Sequence, residues 1–186
     1  MSRTLPARRA TSLRRWTLRV GLLAATAVVG GFALAPRVAP GADFTVTHTG
    51  DSGAGSLRDA IEQANLAGAG NHTITFDGGL PSNSLLQLGS QLEHINVNIV
   101  IDGGGHTLSG HNNHQIFFVA LGNVMIKNFR LTAGNSVGGT GGSSNLAGGG
   151  GGGLGAGGAI FVNSGAHVTV ENVVFSQNAA QGGNGG

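Results

Sequence analysis

Three residues of alternating charge recur at one position of a repeating pattern. Asp102 closes the run Ile99-Val100-Ile101-Asp102, Lys127 closes Val124-Met125-Ile126-Lys127, and Glu171 closes Val168-Thr169-Val170-Glu171. If these runs stack as neighbouring strands, their outward side chains line up in the order acid, base, acid. Such a trio could supply the acids and basic group that cleavage of a polysaccharide requires on one face. Opposite charges one strand apart also pair with each other, at about 0.2 to 1 kcal/mol per exposed pair. No further acid lies on these strands, and Arg130 sits only a few residues along the middle one. A structural charge ladder is therefore expected, and no catalytic residue is assigned.

Histidines form a second set. His106, His111 and His114 fall within nine residues, and neutral imidazoles ligate transition metals. Asp102 is the one carboxylate nearby, so all three are read as surface turn residues and no metal site is assigned. The glycine run contains G-x-G-x-x-G at Gly150, Gly152 and Gly155, but no strand feeds it, no helix follows it and no ribose-binding acid is suitably placed. Lys127 is the only lysine, which excludes a P-loop, and the tract from Ser136 to Gly158 has no acid for calcium-binding glycine repeats. No cofactor is expected. The tract is read as a flexible loop.

The elements that would position these groups are short. Phe44, Val46 and His48 alternate over 43–49, and the cluster Gly50 to Gly55 ends that strand. Ser56 suits a helix N-cap with Asp59 three residues on, Leu57, Ala60, Ile61 and Ala64 share one face, and Gly68 stops the helix. From His72 onward come short β-rich runs: 73–76, 85–88, 98–101, 116–119, 123–129, 159–162 and 167–175. No further helix fits between them, which excludes an alternating β/α fold. Val124 to Thr132 aligns with Val168 to Ser176 at an offset of 44, and Ile99 to Asp102 precedes Val124 to Lys127 by 25. An offset of 25 suits one coil of a β-solenoid, and 44 suits one coil plus an insertion. The insertion corresponds to the glycine tract, and Asn128 and Asn172 fall at equivalent corners, where asparagine tolerates left-handed backbone and can stack.

Composition separates a leader from a body. Of 186 residues, 36 are glycine, 19 of them from Gly134 onward, and there is no cysteine, so no disulfide or thiolate metal site can form. Seven of the ten Lys and Arg residues precede position 43, while all eight acids lie from Asp43 onward. Three bases against eight acids leave the body at −5, a charge that repels nucleic acid. The basic start, the uncharged run Val20 to Ala35 and the small residues after it have the layout of a secretory signal peptide. Sixteen residues fall short of the ~20 that span a bilayer, so removal is expected rather than anchoring. Arg14-Arg15 leaves both the general and the twin-arginine route open, and the cleavage point is open too.

The segments Gly55-Ser56-Leu57-Arg58-Asp59-Ala60, Ile74-Thr75-Phe76, Ile99 to Gly104 and Gly157 to Phe161 together resemble the start of right-handed parallel β-helix proteins with a CSLREA-like N-terminal motif. Polymorphic outer-membrane and other adhesin-like surface proteins are related to these. Here Gly55 stands for the motif's cysteine and Asp59 for its glutamate. The resemblance implies an all-β, right-handed parallel β-helix with a short N-terminal capping helix, and says little about activity. The expected organisation is a signal peptide over 1–42, a cap strand and helix over 43–71, and β-helix coils over 72–186 with a glycine-rich loop at 136–158. Nothing after Phe175 reads as a cap for the last coil, so further coils of the same chain are expected beyond Gly186. The function expected is that of a secreted or cell-surface structural and adhesive module contacting surface glycans or proteins of host or neighbouring cells. A β-helix polysaccharide lyase or hydrolase is the alternative, and a passive exported domain is a third.

Overall fold

The computed structural model describes residues 40–144 and 148–186, so most of the expected leader over 1–42 lies outside the described residues. The described chain runs β1 (Asp43–Val46), α1 (Leu57–Ala67), β2 (Asn71–Phe76), β3 (Leu85–Gln87), β4 (Asn98–Asp102), β5 (Thr107–Ser109) and β6 (Phe117–Val119). It continues through β7 (Asn123–Lys127), β8 (Arg130–Thr132), β9 (Asn135–Val137), β10 (Ile160–Val162), β11 (His167–Glu171), β12 (Val174–Ser176) and β13 (Ala179–Gln181). Every strand pairing is parallel, in sheets ordered β1-β2-β4-β7-β11, β3-β5-β8-β12, β6-β10 and β9-β13, and none of these closes into a barrel.

Local chemistry sets α1, the one helix among the described residues. Ser56 caps it, its hydroxyl accepting from the Asp59 N–H at 3.1 Å, while the Asp59 carboxylate accepts from the Gly55 N–H at 2.9 Å. Leu57, Ala60, Ile61 and Ala64 are buried, and this face packs on β1 and β2. Arg58 points away from that face and is held by Asp51 at 2.8 Å, and it also donates to the carbonyls of Ser90 and Gln91. Gly68 ends the helix with a φ of 74°, which suits glycine.

The core is a set of columns generated by strand register. Ile74, Ile101 and Ile126 align across one sheet and Leu86, Leu108 and Leu131 across another, all buried. Phe117 and Val119 face them from a third sheet, and Phe129 packs edge-on against Phe117 and Phe76. Burial of each such side chain contributes about 1.5–3 kcal/mol. Gly103 makes room for Phe129, since a Cβ there would lie 2.4 Å from its ring. On the outermost strands the columns open to solvent: Val162, Val170 and Phe175 are 43–49% exposed, whereas their register partners Val119, Ile126 and Leu131 are fully buried.

Two runs read as continuous in the sequence, 123–129 and 167–175, are each broken at the asparagine corner. Asn128 and Asn172 have φ of 56° and 51° and end β7 and β11. Their amides stack: Asn172 Nδ2 donates to Asn128 Oδ1 and Asn128 Nδ2 donates to Asp102 Oδ1, both at 2.8 Å. The offset of 44 is the observed register of β11 on β7, β12 on β8 and β13 on β9.

The glycine tract differs from the loose loop expected of it. Its described residues lack regular strand or helix beyond β9, yet stretches 138–142, 149–155 and 181–186 are joined by backbone hydrogen bonds at steps of three. Gly138 and Gly141 N–H donate to the Gln181 and Asn184 carbonyls, Gly150 and Gly153 N–H to Gly142 and Gly139, and Gly183 and Gly186 N–H to Gly153 and Gly150, at 2.7–2.9 Å. A Cβ on Gly138, Gly141, Gly152, Gly183 or Gly186 would lie 1.9–2.1 Å from a backbone oxygen of a neighbouring stretch. None of these five has a positive φ. The three-residue step of these hydrogen bonds matches the three residues per turn of polyproline-II-type chains. Glycine is required here because the backbones touch.

Candidate functional site

The parallel register places the charged trio as its spacing implied. Asp102 pairs with Lys127 across β4 and β7, and Lys127 with Glu171 across β7 and β11. The contacts are unequal. Lys127 Nζ lies 3.2 Å from Asp102 Oδ2, while Glu171 is exposed and makes no ion pair among the described residues. Burial raises the Asp102 carboxyl, but hydrogen bonds from the Asn128 amide, the Gly104 N–H and Lys127, with the lysine's charge, outweigh it and hold the group below its ordinary value. The ladder thus has one closed rung, with its base already committed to an acid.

The three clustered histidines are not brought together. His111 sits at an exposed turn with φ of 55°, its Nδ1 3.3 Å from Gln87 Nε2, and His114 is half-buried. His106 corrects the surface reading: it is 4% exposed, its Nδ1 accepts the Ser84 N–H at 3.1 Å, and its ring lies 4.9 Å from that of Phe76. The residue immediately precedes the short strand β5, whose three residues were hidden in a run of turn formers. Burial pushes its imidazole below 6.5. His72 is buried as well, with Nδ1 accepting the Ala42 N–H at 3.1 Å and Nε2 donating to the Gly68 carbonyl at 2.9 Å. Among the described residues no three His, Asp or Glu side chains are placed to hold a metal ion.

A feature missed in the sequence lies on the outer face of the β1-β2-β4-β7-β11 sheet. Asn71, Asn98, Asn123 and His167 stand in register on four successive strands, and Thr73, Val100, Met125 and Thr169 form the next row. Asn98 Oδ1 accepts the Asn123 N–H at 2.8 Å, so one amide orients the next strand. These rows border a depression of about 320 Å³. A second, of about 300 Å³, shares Asn98 with it, and a third, of about 590 Å³, shares Asn65 and Asn96 with the second. Extending the 25-residue alignment back by one position, from Ile99 and Val124 to Asn98 and Asn123, would have found the row. A separate stack of His94, Phe118 and Phe161, with centroids 4.1 and 4.9 Å apart, covers the outside of β6 and β10. Comparison with protein-family models, with curated proteins and with solved structures finds no match to this chain.

Proposed function

We propose that this chain is an exported structural and adhesive module of a bacterial-type secreted or cell-surface protein, folded as a right-handed parallel β-helix with α1 as its N-terminal cap. The observation that carries the reading is the register. Parallel pairing at offsets of 22–30 residues, and of 43–44 across the glycine tract, sets equivalent residues side by side in sheet after sheet, as stacked coils would. The right-handed sense follows the hand of nearly all parallel crossovers. The helix packed on the edge strand β1 suits a cap, and the CSLREA-like residues hold it: Ser56 at the N-cap, Leu57 in the core and Arg58 on Asp51.

Stacked coils give long outward rows of side chains, which suit contact with surface glycans or proteins of host or neighbouring cells. The body's charge of −5 repels nucleic acid. Lys127, the base that polysaccharide cleavage would need, is already paired with Asp102. Production of the full chain with an epitope tag in a bacterial host tests this reading. The product is expected outside the cytoplasm, shortened at its N-terminus and without action on polysaccharides. A full-length cytoplasmic product overturns it, as does release of unsaturated or reducing sugar that Lys127→Met abolishes.

A further inference from the structure

We infer that the trough formed by the three joined depressions binds an uncharged oligosaccharide. The inference rests on the adhesive reading and gives it a ligand class and a place. The trough runs from the exposed side of α1, past the turn at Gly68 to Gly70, onto the outer face of β2, β4, β7 and β11. Asn65, Asn71, Asn96, Asn98 and Asn123 line it in succession.

The lining chemistry selects the ligand. An amide presents a donor and an acceptor side by side, which matches hydroxyl groups that both give and take a hydrogen bond. Several of these amides are fixed in advance. Asn65 donates to the His94 carbonyl at 2.7 Å and accepts the Asn96 N–H at 3.0 Å, and Asn123 Nδ2 reaches Asn98 Oδ1 at 3.3 Å. Fixing them beforehand lowers the ordering cost of binding. Val100 and Met125 are half-buried and face outward beside the amide row, although the core does not need them there. They offer an apolar floor to the C–H face of a sugar ring. From Asn71 to His167 the row crosses three strand spacings, about 14 Å in all, enough for a short oligosaccharide.

Charge excludes acidic sugars. Among the described residues no Lys or Arg lines any part of the trough, and Glu62 and Glu93 stand at its α1 end. A polyuronate would meet carboxylates and no counter-charge. An extended peptide is disfavoured as well, because the trough crosses the face of a sheet whose backbone groups are already paired, whereas strand addition needs a free edge.

The test uses the exported chain on an array of neutral, acidic and amino oligosaccharides and of peptides, followed by titration of the best neutral ligand. Binding is expected for neutral glycans alone. Asn123→Asp, which removes an amide donor and adds charge, and Met125→Lys, which places a cation on the floor, are each expected to weaken it about tenfold or more. Arg130→Ala, exposed on another sheet, is expected to leave it unchanged. Melting curves show that the variants remain folded. Retention of acidic glycans or peptides only, of no ligand at all, or of neutral glycans equally by all variants overturns the inference. Cell attachment that survives Asn123→Asp and Met125→Lys would remove the trough but leave the adhesive reading standing. Loss of attachment by the unaltered chain would remove that reading itself.

Discussion

Replacing Gly141 by alanine separates a packed glycine bundle from an unpaired loop. A Cβ at Gly141 would sit 2.0 Å from the Gly150 carbonyl oxygen and 2.9 Å from that of Gly151, and both are backbone atoms that cannot rotate away. The stretches must move apart, which strains the hydrogen bonds from Gly141 to Asn184 and from Gly150 to Gly142, each 2.8 Å. At about 0.5–1.5 kcal/mol each, their loss costs roughly 1–3 kcal/mol. Alanine recovers about 0.4–1 kcal/mol by restricting the unfolded chain. The net expectation is a local destabilisation of about 1–2 kcal/mol. Gly142→Ala is the control: nothing lies within 4 Å of its Cβ and its φ is not positive, so it is expected to be neutral or slightly stabilising. The bundle lies on the surface and can open without global unfolding, so amide hydrogen exchange at Gly150, Gly153, Gly183 and Gly186 is the direct assay. Gly141→Ala is expected to speed exchange at these amides about fivefold to thirtyfold, and Gly142→Ala to leave it unchanged. Equal exchange in both variants, or fast exchange in the parent, would refute the packing argument.

Protonation of His106 is expected to weaken the fold in mild acid. Its folded-state value lies below 6.5, so the unfolded chain takes up the proton first, and stability that is complete above about pH 6.5 falls as the pH drops toward the folded value. Melts from pH 7.5 to 5 check this, and His106→Leu should flatten the slope while costing stability at every pH through loss of the Ser84 bond. Asp102 acts in stronger acid: the stability it contributes is present above about pH 3.8 and is lost as the pH falls through its depressed folded value. Lys127→Met is expected to cost less than about 1 kcal/mol, because the pair with Asp102 is about one-third exposed. A larger loss by denaturant titration would mean that the ladder carries more of the fold. Mass spectrometry of the exported chain is expected to place the new N-terminus before Gly41, because the Ala42 carbonyl accepts from Thr73 N–H and the Ala42 N–H donates to His72. A mature chain starting at Asp43 would contradict that.

The features legible in the sequence are those with a local or strictly periodic cause. The helix was readable because its cap, apolar face and terminating glycine lie within thirteen residues. The charge trio and the asparagine corners were readable because parallel register turns a fixed sequence offset into adjacency. The burial of His106 was not readable, since it lies just before the three-residue strand β5, where no periodicity marks a buried side chain. The paired glycine tract was hidden for a different reason: its partners at 181–186 are remote in sequence, and repeated glycine looks the same whether the chain is free or closely packed. The amide trough is spread over α1 and four strands, so it exists only once their register is known.

Cell attachment under flow measures the proposed adhesive role most directly. A surface coated with the exported chain is expected to retain bacterial or host cells that an inert protein coating of equal density releases. Free neutral oligosaccharide is expected to detach them, with Lys127→Met retaining them as well as the parent. Cells released from both coatings at equal shear, together with polysaccharide cleavage lost on Lys127→Met, would contradict the account.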